Sequence, residues 1–149
     1  MDDKVEILWR RAEDHWVHGR HHEMQRWTIS NFVILTEGAI LTFYGSVRSP
    51  AIQTYLPIFL IGLGLFGIAA VLKLTERFGL HRRMADALMQ EIDKLLGTSL
   101  RALQKSGDER HQGEMLYKIV GKIPLFVFWV ILHCFAITIG VVLLISAIG

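Results

Sequence analysis

The stretch at residues 123–148, IPLFVFWVILHCFAITIGVVLLISAI, decides the fold because it contains no Asp, Glu, Lys or Arg. An α-helix needs about 20 mostly apolar residues to cross a hydrocarbon core of roughly 30 Å. Lipid offers no hydrogen-bond partners to the backbone, and a helix pairs its own N–H and C=O groups within one segment. The stretch therefore predicts a transmembrane helix.

Two more apolar runs precede it, at residues 27–47 and 52–74. Hydrophobic residues make up 52% of the chain and charged residues 20%, and the two kinds are segregated along it. A soluble protein of 149 residues could not surround three such helices with its own chain. We expect an all-α membrane protein with three transmembrane helices and cytoplasmic amphipathic helical extensions.

These patterns divide the chain into four segments. Residues 1–26 place apolar side chains at helical spacing, so they predict an amphipathic helix continuous with the first span. Residues 27–76 predict a transmembrane hairpin whose outer turn lies at residues 45–50, where glycine and proline interrupt the helix. Residues 77–121 predict a cytoplasmic helical segment and connector, and residues 122–149 the third transmembrane helix.

Two local patterns refine this division. Proline is tolerated in the first turn of a helix, so Pro57 predicts a second span that begins nearer Leu56. The cytoplasmic segment carries an apolar stripe that would leave a large exposed patch without a partner. We expect this stripe to pack on the first cytoplasmic helix, in the same or a neighbouring subunit. The stripe is Met84, Leu88, Ile92 and Leu95, and its predicted partners are Leu8, Ala12 and Trp16.

The distribution of Lys and Arg predicts the orientation, because these residues are retained on the cytoplasmic side of membrane segments. Five precede the first span, Arg48 alone lies between the first two spans, and ten lie in residues 73–122. The amino terminus is therefore predicted in the cytoplasm and the carboxyl terminus outside. A charged amino terminus and a late first apolar run argue against a cleaved signal peptide.

Glu37 is the most informative residue, because an ionisable side chain deep in a membrane span is costly and faces protein or water. His133 is its predicted partner, since both lie ten residues from the cytoplasmic end of their spans. Ser30, Glu37 and Tyr44 recur at seven-residue intervals, and Asn31 begins a second stripe beside them. Two interpretations remain open: a pore lining or polar switch, or a buried hydrogen bond that holds the bundle together.

Small residues predict where membrane helices approach one another closely. They are Gly38 and Gly45 in the first span, Gly62, Gly64 and Gly67 in the second, and Ala136 and Gly140 in the third.

Four histidines, His15, His18, His21 and His22, cluster before the first span. His18 and His22 are four residues apart on one helical face, a spacing compatible with a transition-metal site. The alternative is an interfacial helix whose histidines face lipid headgroups, and we adopt it, so no metal site is predicted.

Enzymatic motifs are otherwise missing from the sequence. It has no phosphate-binding loop, dinucleotide fingerprint, serine nucleophile elbow or acidic dyad, so we expect neither an enzyme nor a cofactor. The single cysteine, Cys134, lies in the third span and predicts a packing residue rather than an intramolecular disulfide.

The order of an amphipathic helix, a tight hairpin and a long return helix, over residues 8–103, resembles the SLATT class of small bacterial membrane effectors. It also resembles RipA-type octameric membrane proteins and the membrane accessory protein of type VI-B CRISPR systems. Arg10 and His15 are spaced similarly to the Arg-to-His motif of HEPN ribonucleases, which precedes the spans in that accessory protein.

These resemblances imply a homo-oligomer in the bacterial inner membrane that permeabilises the bilayer when a cytoplasmic sensor protein triggers it, in phage defence. The lipid bilayer is the other expected partner, and nucleic acid is not expected. Two alternatives stay open: a non-conducting membrane anchor or scaffold, and a membrane-tethered HEPN-like ribonuclease.

Overall fold

A computed structural model describes residues 3–97, 99, 102, 105, 106, 109 and 123–148. This part of the chain forms three long α-helices: α1 is Asp3–Ser46, α2 is Pro50–Leu96 and α3 is Leu125–Ile148. The all-α class is confirmed. The connector predicted within residues 77–121 falls largely outside the described residues.

α1 confirms that the amino-terminal segment and the first apolar run form one helix. It continues without a break through Gly19 and Gly38. An isolated glycine costs a helix only about 1 kcal/mol relative to alanine, which the rest of a helix this long outweighs.

The turn between α1 and α2 occupies residues 47–49, inside the predicted range. The amide of Gln53 donates to the Ser49 carbonyl at 3.0 Å, and the Gln53 side chain donates to the Val47 carbonyl at 2.9 Å. Pro50 is the first residue of α2, where its fixed φ suits the helix and its missing N–H costs nothing. A turn this short makes α1 and α2 antiparallel neighbours.

The predicted start of α2 near Leu56 is wrong, because the helix begins at Pro50 and Pro57 lies inside it. Pro57 is fully buried, so packing compensates for the helical hydrogen bond that its nitrogen cannot donate. α2 then continues past Gly79 to Leu96 as one helix.

The chain separates into two compact units. One comprises residues 1–23 and 76–124, and we call it the charged unit; the other comprises residues 24–75 and 125–149, and we call it the apolar unit.

In the apolar unit, the buried positions of each helix alternate in steps of three and four residues. This is the interval at which helices interlock in left-handed coiled-coil packing. The buried residues are Arg26, Ser30, Val33 and Glu37 on α1, Pro57, Leu60, Gly64, Gly67 and Val71 on α2, and Trp129, His133, Ala136 and Gly140 on α3.

Three glycines let α2 and α3 approach closely. A Cβ on Gly64 would lie 2.6 Å from Ile137 Cγ1, and one on Gly140 would lie 2.8 Å from Ile61 Cγ1. A Cβ on Gly67 would overlap the imidazole of His133, with three ring atoms at 2.5–2.7 Å. Close backbone approach at small residues is the usual way that membrane helices gain packing energy.

The charged unit has a narrower buried stripe than predicted. On α1 it consists of Val5, Ala12 and Gly19 at seven-residue intervals, and on α2 of Ala85 and Ile92. Within this single chain Ile92 and Ala12 are buried, whereas Met84 and Leu95 are 43% and 39% exposed. Packing of Met84 and Leu95 on a neighbouring subunit stays a prediction. Ala85 and Ile92 lie seven residues apart and therefore on the same buried face of α2, whereas Met84 and Leu95 lie off this repeat.

α2 and α3 are long and apolar enough to cross a membrane. Their most apolar windows are only 28% and 22% buried, unlike the core helices of a soluble protein. α1 is long enough to cross a membrane but is not apolar enough by the same measure, since its apolar run includes Asn31 and Glu37. Of the three predicted membrane-spanning helices, two therefore have the length and composition of a span.

We predict that Gly67→Ala destabilises the fold by roughly 1–3 kcal/mol, because a methyl group there collides with a buried imidazole. Gly62→Ala is the matched control on the same helix, since a Cβ at Gly62 meets nothing within 4 Å. Thermal unfolding of the purified variants in one detergent measures the difference. Equal melting temperatures for the two variants would contradict the close packing of α2 on α3.

Candidate functional site

The site is built around two ionisable side chains in the interior of the apolar unit. His133 Nδ1 lies 3.4 Å from Glu37 Oε1, a long hydrogen-bond contact. His133 is 0% exposed and Glu37 is 4% exposed. The structure thus brings together Glu37 and His133, which were predicted to be partners because each lies ten residues from the cytoplasmic end of its span.

The imidazole of His133 is fixed by α2 as well as by α1. Gly67 leaves the space that the ring fills, so His133 lies between the backbone of α2 and the carboxyl group of α1. Its Nε2 atom is buried and has no hydrogen-bond partner among the described residues. Since a buried unsatisfied nitrogen costs about 1–3 kcal/mol, a hydrogen-bond partner at this atom would stabilise the apolar unit.

More polar groups lie on the same buried stripes. Arg26 donates to Thr75 Oγ1 at 3.1 Å, which joins α1 to α2. Ser30 Oγ and Trp129 Nε1 are buried and, within the described part of the chain, have no hydrogen-bond partner. All four buried polar or charged side chains found among the described residues belong to the apolar unit: Arg26, Ser30, Glu37 and His133.

A groove of about 180 Å³ between α1 and α3 reaches Glu37. Its other lining residues are apolar or small: Ile34, Gly38, Leu41, Leu132, Phe135, Ala136 and Ile139. A carboxyl group at the wall of an apolar groove is the arrangement expected where the group meets a neighbouring helix.

The remaining predicted site residues lie nearer the surface. Asn31 and Tyr44 are half-buried, and a Cβ at Gly38, Gly45 or Gly62 would meet nothing within 4 Å. Among the described residues, these three glycines are not at helix contacts, whereas Gly64, Gly67 and Gly140 are.

The charged unit holds a histidine cluster that the sequence analysis identified only in part. The ring of His81 lies 5.3 Å from His15, 5.4 Å from His18 and 5.3 Å from His22, measured between centroids. Sequence reasoning missed His81 because it comes from α2. The sequence did offer one indication. His81 lies three residues after Phe78, so it falls on the same face of α2 as the seven-residue repeat that packs on α1.

The pair from the HEPN-like pattern does not form a joint site within the chain. Arg10 is exposed and forms an ion pair with Glu6 at 2.6 Å. His15 Nδ1 instead lies 3.1 Å from His81 Nδ1.

Comparison of the chain with protein-family models, curated proteins and solved structures finds no match.

We predict that removing one partner of the Glu37–His133 pair costs more stability than removing both. A single Glu37→Leu or His133→Leu change leaves a buried polar group unpaired, whereas the double change replaces both with apolar groups. The coupling free energy should be about 0.5–3 kcal/mol. Unfolding of the four proteins in detergent measures it, and strictly additive losses would refute a direct interaction.

Proposed function

We propose that this protein is an oligomeric bacterial inner-membrane effector that forms a pore or perturbs membrane integrity, with three spans. The observation that carries the proposal is the inverted polarity of the apolar unit. Its buried stripes hold Arg26, Glu37 and His133, while Phe32 and Leu35 are 68% and 73% exposed. Ionisable groups kept in the interior, with large apolar side chains exposed on the outside, suit a lipid environment and are costly in water.

Ionisable residues within membrane spans often mark ion pathways and proton relays. Here four buried polar side chains follow the inward stripes of two helices, and the groove beside Glu37 opens toward the exterior of the apolar unit. In a ring of subunits, a neighbour covers this groove and Glu37 faces the subunit boundary. Activation by a cytoplasmic partner, as in phage defence, follows from the resemblance alone.

A non-conducting anchor or scaffold is the second candidate, and one observation favours it. Glu37 and His133 are nearly inaccessible and contact each other, so the pair satisfies itself as a structural hydrogen bond would. The HEPN-like ribonuclease remains the third alternative, and the separate partners of Arg10 and His15 lend it no support.

We predict that Glu37→Gln changes ion flux through the protein by about tenfold, the equivalent of 1.4 kcal/mol, while the subunit number stays constant. The amide keeps the shape of the side chain but cannot carry its charge. Flux is measured in liposomes with a fluorescent ion indicator, and subunit number by native mass spectrometry.

Cys134→Ser is the matched control, since Cys134 adjoins His133 in sequence but is exposed. Lost assembly in Glu37→Gln would favour the scaffold. Unchanged flux together with intact assembly in both Glu37→Gln and Glu37→Leu would exclude the pore.

We predict that the amino terminus is cytoplasmic and the carboxyl terminus periplasmic, because fifteen of the sixteen Lys and Arg residues lie either before the first span or in residues 73–122. Alkaline phosphatase fused after Gly149 should be active, and the same enzyme fused before Met1 should be inactive. Activity at both ends or at neither would contradict an odd number of spans.

A further inference from the structure

We infer that His15, His18, His22 and His81 form a transition-metal site in the charged unit, of the kind that takes Zn²⁺. The inference is independent of the proposed membrane function, because all four residues belong to the charged unit.

The first support is the convergence of the rings. His15, His18 and His22 lie three and four residues apart on one face of α1, and each ring is 5.3–5.4 Å from the ring of His81. On a tetrahedral metal with bonds of about 2.0–2.1 Å, the centroids of two ligating imidazoles lie about 5.2 Å apart. The observed separations are close to that value.

The second support is the approach of two ring nitrogens. His15 Nδ1 and His81 Nδ1 are 3.1 Å apart, and two nitrogens on one tetrahedral metal are separated by about 3.3 Å. Two such atoms cannot both carry a proton toward each other. They either share one proton or direct both lone pairs at a cation.

The backbone of α1 contributes to this convergence through Gly19. A Cβ there would lie 3.8 Å from His81 Cβ and 3.7 Å from Phe78 Cδ2, so α2 contacts α1 directly at this residue. His81 thereby reaches the face that carries the three histidines of α1.

Coordination requires the rings to rotate. In the side-chain conformations of the structure, no three His, Cys, Asp or Glu groups among the described residues are arranged to hold a metal ion. His18 is exposed and His15, His22 and His81 are half-buried, and rotation of an imidazole about χ2 has a small cost because this torsion is broad.

The test is a titration of the full-length, tag-free protein in detergent with Co²⁺, whose visible absorption reports tetrahedral coordination. We expect one Co²⁺ per chain, displaced by Zn²⁺. His81→Ala should weaken Co²⁺ binding by at least about tenfold. His21→Ala is the matched control, because His21 lies on the same helix, is exposed, and has only His22 as a ring neighbour among the described residues.

Circular dichroism checks that His81→Ala is folded. His18→Ala serves as a second variant, because His18 is exposed and its loss leaves the buried stripe unchanged. The inference is overturned if the wild-type protein gives no saturable tetrahedral spectrum. It is also overturned if His21→Ala weakens binding as much as His18→Ala and His81→Ala do, since the ion would then bind loosely along α1.

Discussion

The contact on which the apolar unit depends is the layer formed by Gly67, His133 and Glu37. The imidazole occupies the space that a side chain on α2 would fill, and its Nδ1 atom meets the carboxyl group of α1. One side chain thus fixes the spacing of α2 and α3 and the rotation of α1 about its axis. Because lipid offers little hydrophobic drive for helices to associate, such packing and polar contacts have to supply the specificity.

That layer belongs to a repeat that extends in both directions along the helices. Pro57, Gly64 and Val71 on α2 lie seven residues apart, and Trp129 and Ala136 on α3 follow the same interval. Small and large residues alternate along these stripes, so each helix offers gaps for its neighbours. The repeat explains why a proline can be buried in mid-helix and why a polar stripe can be interior.

The fold was largely predictable, because apolar length, glycine and proline at the turn, and helical spacing are local signals. The pairing of Glu37 with His133 was predictable as well, since equal depth follows from counting residues along two spans. The choice among Gly62, Gly64 and Gly67 was not, because all three look alike until the register of α2 against α3 is known. His81 was missed for a similar reason: its histidine neighbours come from another helix, and its place on the repeat of α2 does not by itself identify them.

If α1 is a third span, as proposed above, the turn at residues 47–49 has a consequence for how the chain enters a membrane. α1 carries a carboxyl group and an amide in its apolar run and does not meet the test for a span, whereas α2 does. Placing Glu37 alone in hydrocarbon costs roughly 2.5 kcal/mol or more, so α1 would partition poorly by itself. A connection of three residues ties its insertion to that of α2, and α3 then supplies the imidazole that accommodates the carboxyl group. Biogenesis of the apolar unit would therefore be cooperative and ordered, with the least hydrophobic helix retained by partners that arrive after it.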